Sequence, residues 1–288
     1  MEWYLFALIA ACAFGIGDVV RKKALVKEHT HQFLTTFYLL HFFLVLLFLP
    51  KVNFQLEAWQ WGMMYLKSLF LTFALVFMMS LLRHYELSEV MPLKNLSSFF
   101  LLLLGFLLLR EMPSAINLGG IGLLLIGTYV IEANHTSDFL RPLNILKSKK
   151  ALYVLFYAIL ISFSALSDKY IVNTMDIYTY LAMTIFFMAM NFLIIQLIFY
   201  EGVKDIKQAL KRDGLVILLA AAIYFIAEIF YLSSVAAPAS LIVLIIPLIR
   251  LSTLISIIIG GGLFHEHCFK TRIIAGLIMV AGVFLVVQ

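Results

Sequence analysis

The chain has 288 residues, of which 64% are hydrophobic and 13% charged, with a mean hydropathy of +1.04. Soluble domains run near half apolar and a quarter charged, so a water-soluble globule of this composition is excluded; disorder is excluded as well, because disordered chains are poor in Leu, Ile and Phe. The formal charge of +5 does not point to nucleic acid, since the basic residues sit in short turns where they govern membrane orientation.

A membrane-crossing helix needs about 20 mostly apolar residues. Ten such windows follow one another, at 3–20, 32–49, 61–82, 86–109, 114–133, 151–170, 177–200, 214–235, 239–264 and 269–287. The first lacks the basic n-region and cleavage site of a signal peptide and is read as retained. Pro50 closes the second window, and Arg110-Glu111-Met112-Pro113 separates the fourth from the fifth. Pro238 is expected to open the ninth, where a missing N–H costs little. The windows are continuously apolar rather than alternating, which favours helices over a barrel. The longest polar stretches, 134–150 and 201–213, read as loops and leave no room for an extramembrane catalytic domain. The expected fold is therefore all-α and integral to the membrane.

Lysine and arginine are distributed unevenly over the connections. Fifteen fall on one face, in the 1–2, 3–4, 5–6, 7–8 and 9–10 turns, against Lys51, Arg110 and Lys169 on the other. The positive-inside rule then places the basic turns in the cytoplasm and both termini outside, in a cell (inner) membrane. Cys12 lies in an apolar run and Cys268 beside a basic turn, which supplies neither a disulfide framework nor a CxxC metal site.

A shift of 155 residues aligns the two halves without a gap. Phe70 falls on Phe225, Pro92 on Pro247, Leu93 on Leu248, Leu96 on Leu251 and Ser97 on Ser252; Gly105 falls on Gly260, Glu111 on Glu266 and Gly127 on Gly282. Apolar coincidences are cheap here, but Pro, Ser, Gly and Glu in one register are not. Five helices per copy is an odd number, so the second copy enters from the opposite side. Ten transmembrane helices thus form two inverted five-helix repeats, 1–134 and 151–288, joined by a cytoplasmic linker at 135–150, the pattern of alternating-access transporters.

The run Pro92-Leu93-Lys94-Asn95-Leu96-Ser97 to Leu109-Arg110-Glu111, and its counterpart Pro247-Leu248-Ile249-Arg250-Leu251-Ser252 to Phe264-His265-Glu266, each lead into a Gly-rich last helix. In these features the chain resembles an EamA-type carrier of the drug/metabolite transporter superfamily. The resemblance implies ten helices, a central cavity lined by both halves, and movement of small metabolites. Related small multidrug exporters use a glutamate in their first helix; the first span here has none.

Burying a charge at mid-bilayer costs at least about 2.5–3.5 kcal/mol, so ionisable groups there face a partner or a wet cavity. Tyr224, Glu228 and Tyr231 follow at i, i+4 and i+7 in the eighth span and share one stripe. Glu228 either binds a cationic group or a coupling proton, or pairs with an arginine for packing. Arg250 follows Pro247 by three residues in the ninth span, and a proline there removes a helical hydrogen bond. It either grips a carboxylate or phosphate or pairs with Glu228. In the fourth span Glu86, Glu89, Lys94 and Ser97 fall within an arc of about 140°, a face that points away from lipid.

Tyr180, Thr184 and Asn191 make a further stripe, which lines the cavity or bonds helix to helix. Lys67 is expected to snorkel to the interface, Asp168 and Lys169 to be solvated at the membrane edge, and His41 to be a packing residue. Adjacent residues on a helix point apart, so His265-Glu266-His267 is not read as a metal site. Glu111 and Glu266 read as helix-end positions of the fold.

The expected function is a secondary transporter for a small polar or zwitterionic, amino-acid-like metabolite, with Glu228 as the candidate for proton coupling. Its candidate binding residues are Tyr224, Glu228, Tyr231, Arg250, Lys94, Glu89, Ser97 and Asn191, with no cofactor, metal or nucleic acid. An exchanger of phosphorylated or nucleotide-linked sugars is the alternative, using Lys94 and Arg250 on phosphate. An intramembrane enzyme needs a paired acid and base or a metal cluster that no spacing here supplies, so no enzyme is expected. ATP does not drive the process directly, because no P-loop exists.

Overall fold

A computed structural model describes residues 2–25, 30–82, 96–132, 151–264 and 269–288. Every regular element among them is helical. In lipid no water satisfies backbone N–H and C=O groups, and the helix alone pairs them within one segment. The first five helical stretches are α1 (Trp3–Leu25), α2 (Thr30–Leu46), α3 (Ala58–Leu82), α4 (Leu96–Leu104) and α5 (Ala115–Glu132). They are followed by α6 (Ala151–Val172), α7 (Ile177–Phe199), α8 (Val203–Ala236), α9 (Ile242–Ile249), α10 (Leu251–Phe264) and α11 (Phe269–Val287). Among the described residues, five helices are long and apolar enough to cross a membrane: α1, α3, α6, α7 and α8. Shorter apolar runs, among them Leu96–Leu109 and Ile242–Ser256, fall on the remaining windows read from the sequence.

Several connections differ from the sequence reading. The stretch expected as a loop at 201–213 is largely helical. It forms the first part of α8, which breaks at Asp213 (φ −132, ψ 19) before the spanning part begins. Pro238 does not open the ninth helix; it lies in the preceding turn, where Ala239 takes a left-handed conformation (φ 58) and α9 starts only at Ile242. The expected interruption at Pro247 takes the form of a break at Arg250, whose backbone N–H donates to the Pro247 carbonyl at 3.1 Å. The end of α4 widens into a π-helical turn, Gly105–Leu109, and Arg110 then turns left-handed (φ 56). That turn delivers Glu111 into the protein, 6% exposed.

The main helix contacts fall into matched pairs. α1 runs along α8 as α3 runs along α6, and α2 meets α8 as α3 meets α7. α1 packs on α9 and α10 as α6 packs on α4, while α2 meets α7 and α5 meets α11. The α5–α11 contact carries the same relation down to single residues. A Cβ on Gly127 would strike Met279 and lie 3.0 Å from the Ala275 carbonyl oxygen; a Cβ on Gly282 would lie 2.9 Å from the Gly120 carbonyl oxygen and from Leu124 Cγ. Each residue of the second set is 155 positions from its counterpart in the first.

Small residues let two membrane helices approach until their backbones touch. A Cβ on Gly120 would lie 2.8 Å from the Gly282 carbonyl oxygen and the Val286 nitrogen, atoms that cannot rotate away. Gly120→Ala and Gly282→Ala are therefore each expected to cost about 1–3 kcal/mol by forcing α5 and α11 apart. Gly122 sits on the same helix with open space around its Cβ position, so Gly122→Ala is expected to be neutral or to stabilise by up to about 1 kcal/mol. Thermal unfolding of the three variants in one detergent separates the cases. Equal losses at Gly120 and Gly122 would refute the close contact.

Candidate functional site: a charged cavity between the helices

A cavity of about 460 Å³ lies among the helices. All the helices except α5 and α11 contribute to its wall, which is largely apolar and aromatic. Along α8 the wall carries three polar levels. At the first, the Tyr224 hydroxyl donates to Asp18 on α1, and Arg21 bonds the same carboxylate oxygen at 2.8 Å. The Arg21 guanidinium also lies over the Tyr224 ring, 5.1 Å from its centre. Gly17 makes this approach possible, since a Cβ there would sit 2.8 Å from the ring.

One turn further along α8 is Glu228, with His41 of α2 behind it. His41 Nε2 is 3.7 Å from Glu228 Oε2, too long for a hydrogen bond. The imidazole is fully buried and meets the rings of Phe37 and Phe225 edge-on. At the third level Asp168 of α6 accepts from the hydroxyls of Tyr180 on α7 and Tyr231 on α8, the latter at 2.9 Å. Lys67 of α3 pairs with it at 3.2 Å. The Tyr224 and Tyr231 levels are seven residues apart, about 10 Å along the helix. A fourth polar point stands where α9 breaks: Arg250 Nη2 donates to Ser97 Oγ of α4 at 2.9 Å.

Residues 1–133 match the model of the EamA-like transporter family. This part of the chain is EamA-like. A solved crystal structure, named only as that of a protein, superposes with a TM-score of 0.76 over 98% of this chain and 95% of its own, at 12% identity. That identity shows a shared fold and nothing about activity. Among curated proteins, none matches in sequence.

Five of the residues singled out from the sequence, Tyr224, Glu228, Tyr231, Arg250 and Ser97, line the cavity. Glu89 and Lys94, with Glu86, lie outside the described residues, as do His265, Glu266 and His267. Asn191 does not line the cavity. Its Nδ2 donates to Ser68 Oγ at 3.1 Å and Thr72 Oγ1 at 3.3 Å on α3, the helix-to-helix alternative. Tyr180 and Thr184 from the same stripe do reach the cavity.

Two readings of charge are corrected. Lys67 does not snorkel to an interface; it is 8% exposed and held by Asp168. Asp168 is likewise not a solvated edge residue, being 5% exposed at the centre of three polar groups. Its neighbour Lys169 turns the other way, donating to the Val235 carbonyl at 2.9 Å and Ser240 Oγ at 2.8 Å. Asp18 and Arg21 are cavity residues that the apolar periodicity of the first span does not single out. Their i, i+3 spacing on an apolar helix was the available signal. His41 packs among rings as expected, but against the cavity glutamate.

Proposed function

We propose that the protein is a secondary transporter of the drug/metabolite type, working by alternating access on a small zwitterionic, amino-acid-like metabolite. One observation carries this reading: the cavity wall presents the Glu228 carboxylate from α8 and the Arg250 guanidinium from the broken ninth span. A ligand bearing an ammonium and a carboxylate complements both charges, and a planar guanidinium suits a carboxylate by geometry. Two inverted five-helix repeats supply the alternation. The matched helix pairs and the Gly127–Gly282 correspondence across α5 and α11 support that organisation. Oppositely threaded halves and a basic face on the cytoplasmic side put both termini outside the cell membrane.

Interruptions such as that at Pro247 and Arg250 expose polar backbone to a binding site in many transporters. Phosphorylated sugars fit less well. Arg21 is matched by Asp18 and Lys67 by Asp168, so neither is at hand for a phosphate ligand.

The test is thermal unfolding of purified protein with a panel of L-amino acids. A ligand binding only the native state raises apparent stability, by about 2.7 kcal/mol at a hundredfold excess over Kd. Arg250→Ala and Glu228→Gln are each expected to abolish that rise while unfolding like the parent without ligand. A retained rise in a well-folded Arg250→Ala protein removes the arginine from the site. Proton coupling through Glu228 further requires that Glu228→Gln lose the pH dependence of uptake in proteoliposomes; an unchanged profile rejects it.

A further inference from the structure

The part of α8 ahead of the Asp213 break is a clamped helix with two unlike faces. Inward, Asp205 accepts from Gln32 Nε2 of α2 and Gln196 Nε2 of α7, both at 2.6 Å, and from the Glu201 backbone N–H at 3.2 Å. Ala209 is fully buried on the same side, in the cluster containing Phe33 and Phe192. These contacts fix how the segment is rotated. Both of its acids, Asp205 and Asp213, are buried, so the charged residues on its outward face are all basic.

That face carries Lys204, Lys207 and Lys211, all exposed and spaced by three and four residues, hence in one stripe. None makes an ion pair among the described residues. Val203 and Leu210 beside them are 53% and 43% exposed. Exposed aliphatics among lysines suit a helix lying in a bilayer interface, where the aliphatic side chains dip toward the acyl chains and the ammonium groups reach phosphates. The position agrees. Ile198 and Phe199 just before the segment, and Leu215 just after the break, are strongly exposed apolar residues of the kind that faces lipid tails. The lysine stripe thus stands where the apolar belt ends.

We propose that Lys204, Lys207 and Lys211 form a binding surface for anionic phospholipid headgroups. The clamp on Asp205 fixes the helix that carries the three lysines before any lipid arrives, so binding does not have to order the backbone. The surface is independent of the cavity and of what the cavity binds.

The test uses the full chain in nanodiscs of equal phosphatidylcholine and phosphatidylglycerol, with native mass spectrometry of the lipid it retains. The parent is expected to keep phosphatidylglycerol selectively, and K204Q/K207Q/K211Q to lose that preference roughly tenfold, since each cation near an anionic surface contributes separately. K51Q, which changes an exposed lysine in the α2–α3 connection, is expected to behave as the parent. A triple variant that retains the parent's preference overturns the proposal. So does an equal loss in K51Q, which would reveal attraction by net charge alone. Should the triple variant fail to fold, K207Q alone decides, and an undiminished preference counts against the surface.

Discussion

Asp168→Ala is expected to destabilise the protein by about 3–5 kcal/mol, because it strands a buried ammonium. Lys67 has Asp168 at 3.2 Å and is almost wholly buried. The same substitution strips the acceptor from the hydroxyls of Tyr180 and Tyr231. Asn at 168 preserves the shape but not the charge, so Asp168→Asn is expected to lose nearly as much. Lys67→Met combined with Asp168→Asn is expected to recover much of the loss, since a neutral pair leaves no uncompensated ion. Denaturant titration in mixed micelles of the parent, both single variants and the double variant reads the coupling directly, about 1–3 kcal/mol for groups in contact. Strictly additive losses would show that the two side chains do not act as a pair.

Glu111→Ala is expected to cost about 2–4 kcal/mol through the start of α9 rather than through the cavity. Oε1 accepts from the Ile242 N–H at 3.0 Å and Oε2 from the Val243 N–H at 3.1 Å. The first N–H groups of a helix have no partner within it, and buried donors left unmade cost about 1–3 kcal/mol each. Glutamine offers one acceptor where two are needed and turns an amide donor toward the other N–H. Glu111→Gln is therefore expected to fall between alanine and the parent. Hydrogen exchange locates the effect: protection at Ile242 and Val243 should drop in both variants. Unchanged protection there would mean that Glu111 does not hold the helix. The contact also ties the end of α4 to the helix that carries Arg250 across its break, so it sets the position of a cavity residue from outside the cavity.

Much of the fold was legible because the bilayer imposes one rule on every segment. Apolar runs must be helices, and the ten windows and the 155-residue shift follow from composition and spacing alone. The site was legible only where periodicity spoke clearly. Tyr224, Glu228 and Tyr231 share a stripe on a single helix, and helical spacing is local information. Arg250 stood out because a charge beside a proline in an apolar run has few structural excuses. For Lys67 and Asp168, depth along a helix axis is a poor guide because each charge has its partner on another helix. Seventh in its span or next to a turn, a lysine reads as interfacial until a carboxylate 101 positions away in the sequence is seen beside it.

By itself the sequence determined an all-helical membrane protein, since solvent and periodicity act on neighbouring residues. Tertiary structure alone decided which charges neutralise one another. Asp18 with Arg21 and Tyr224, Asp168 with Lys67 and two tyrosines, and Asn191 with α3 instead of the cavity all depend on packing between helices distant in the chain. The physical reason is that electrostatic energy at low dielectric falls off over a few ångströms through space, whereas the chain records only the distance along itself.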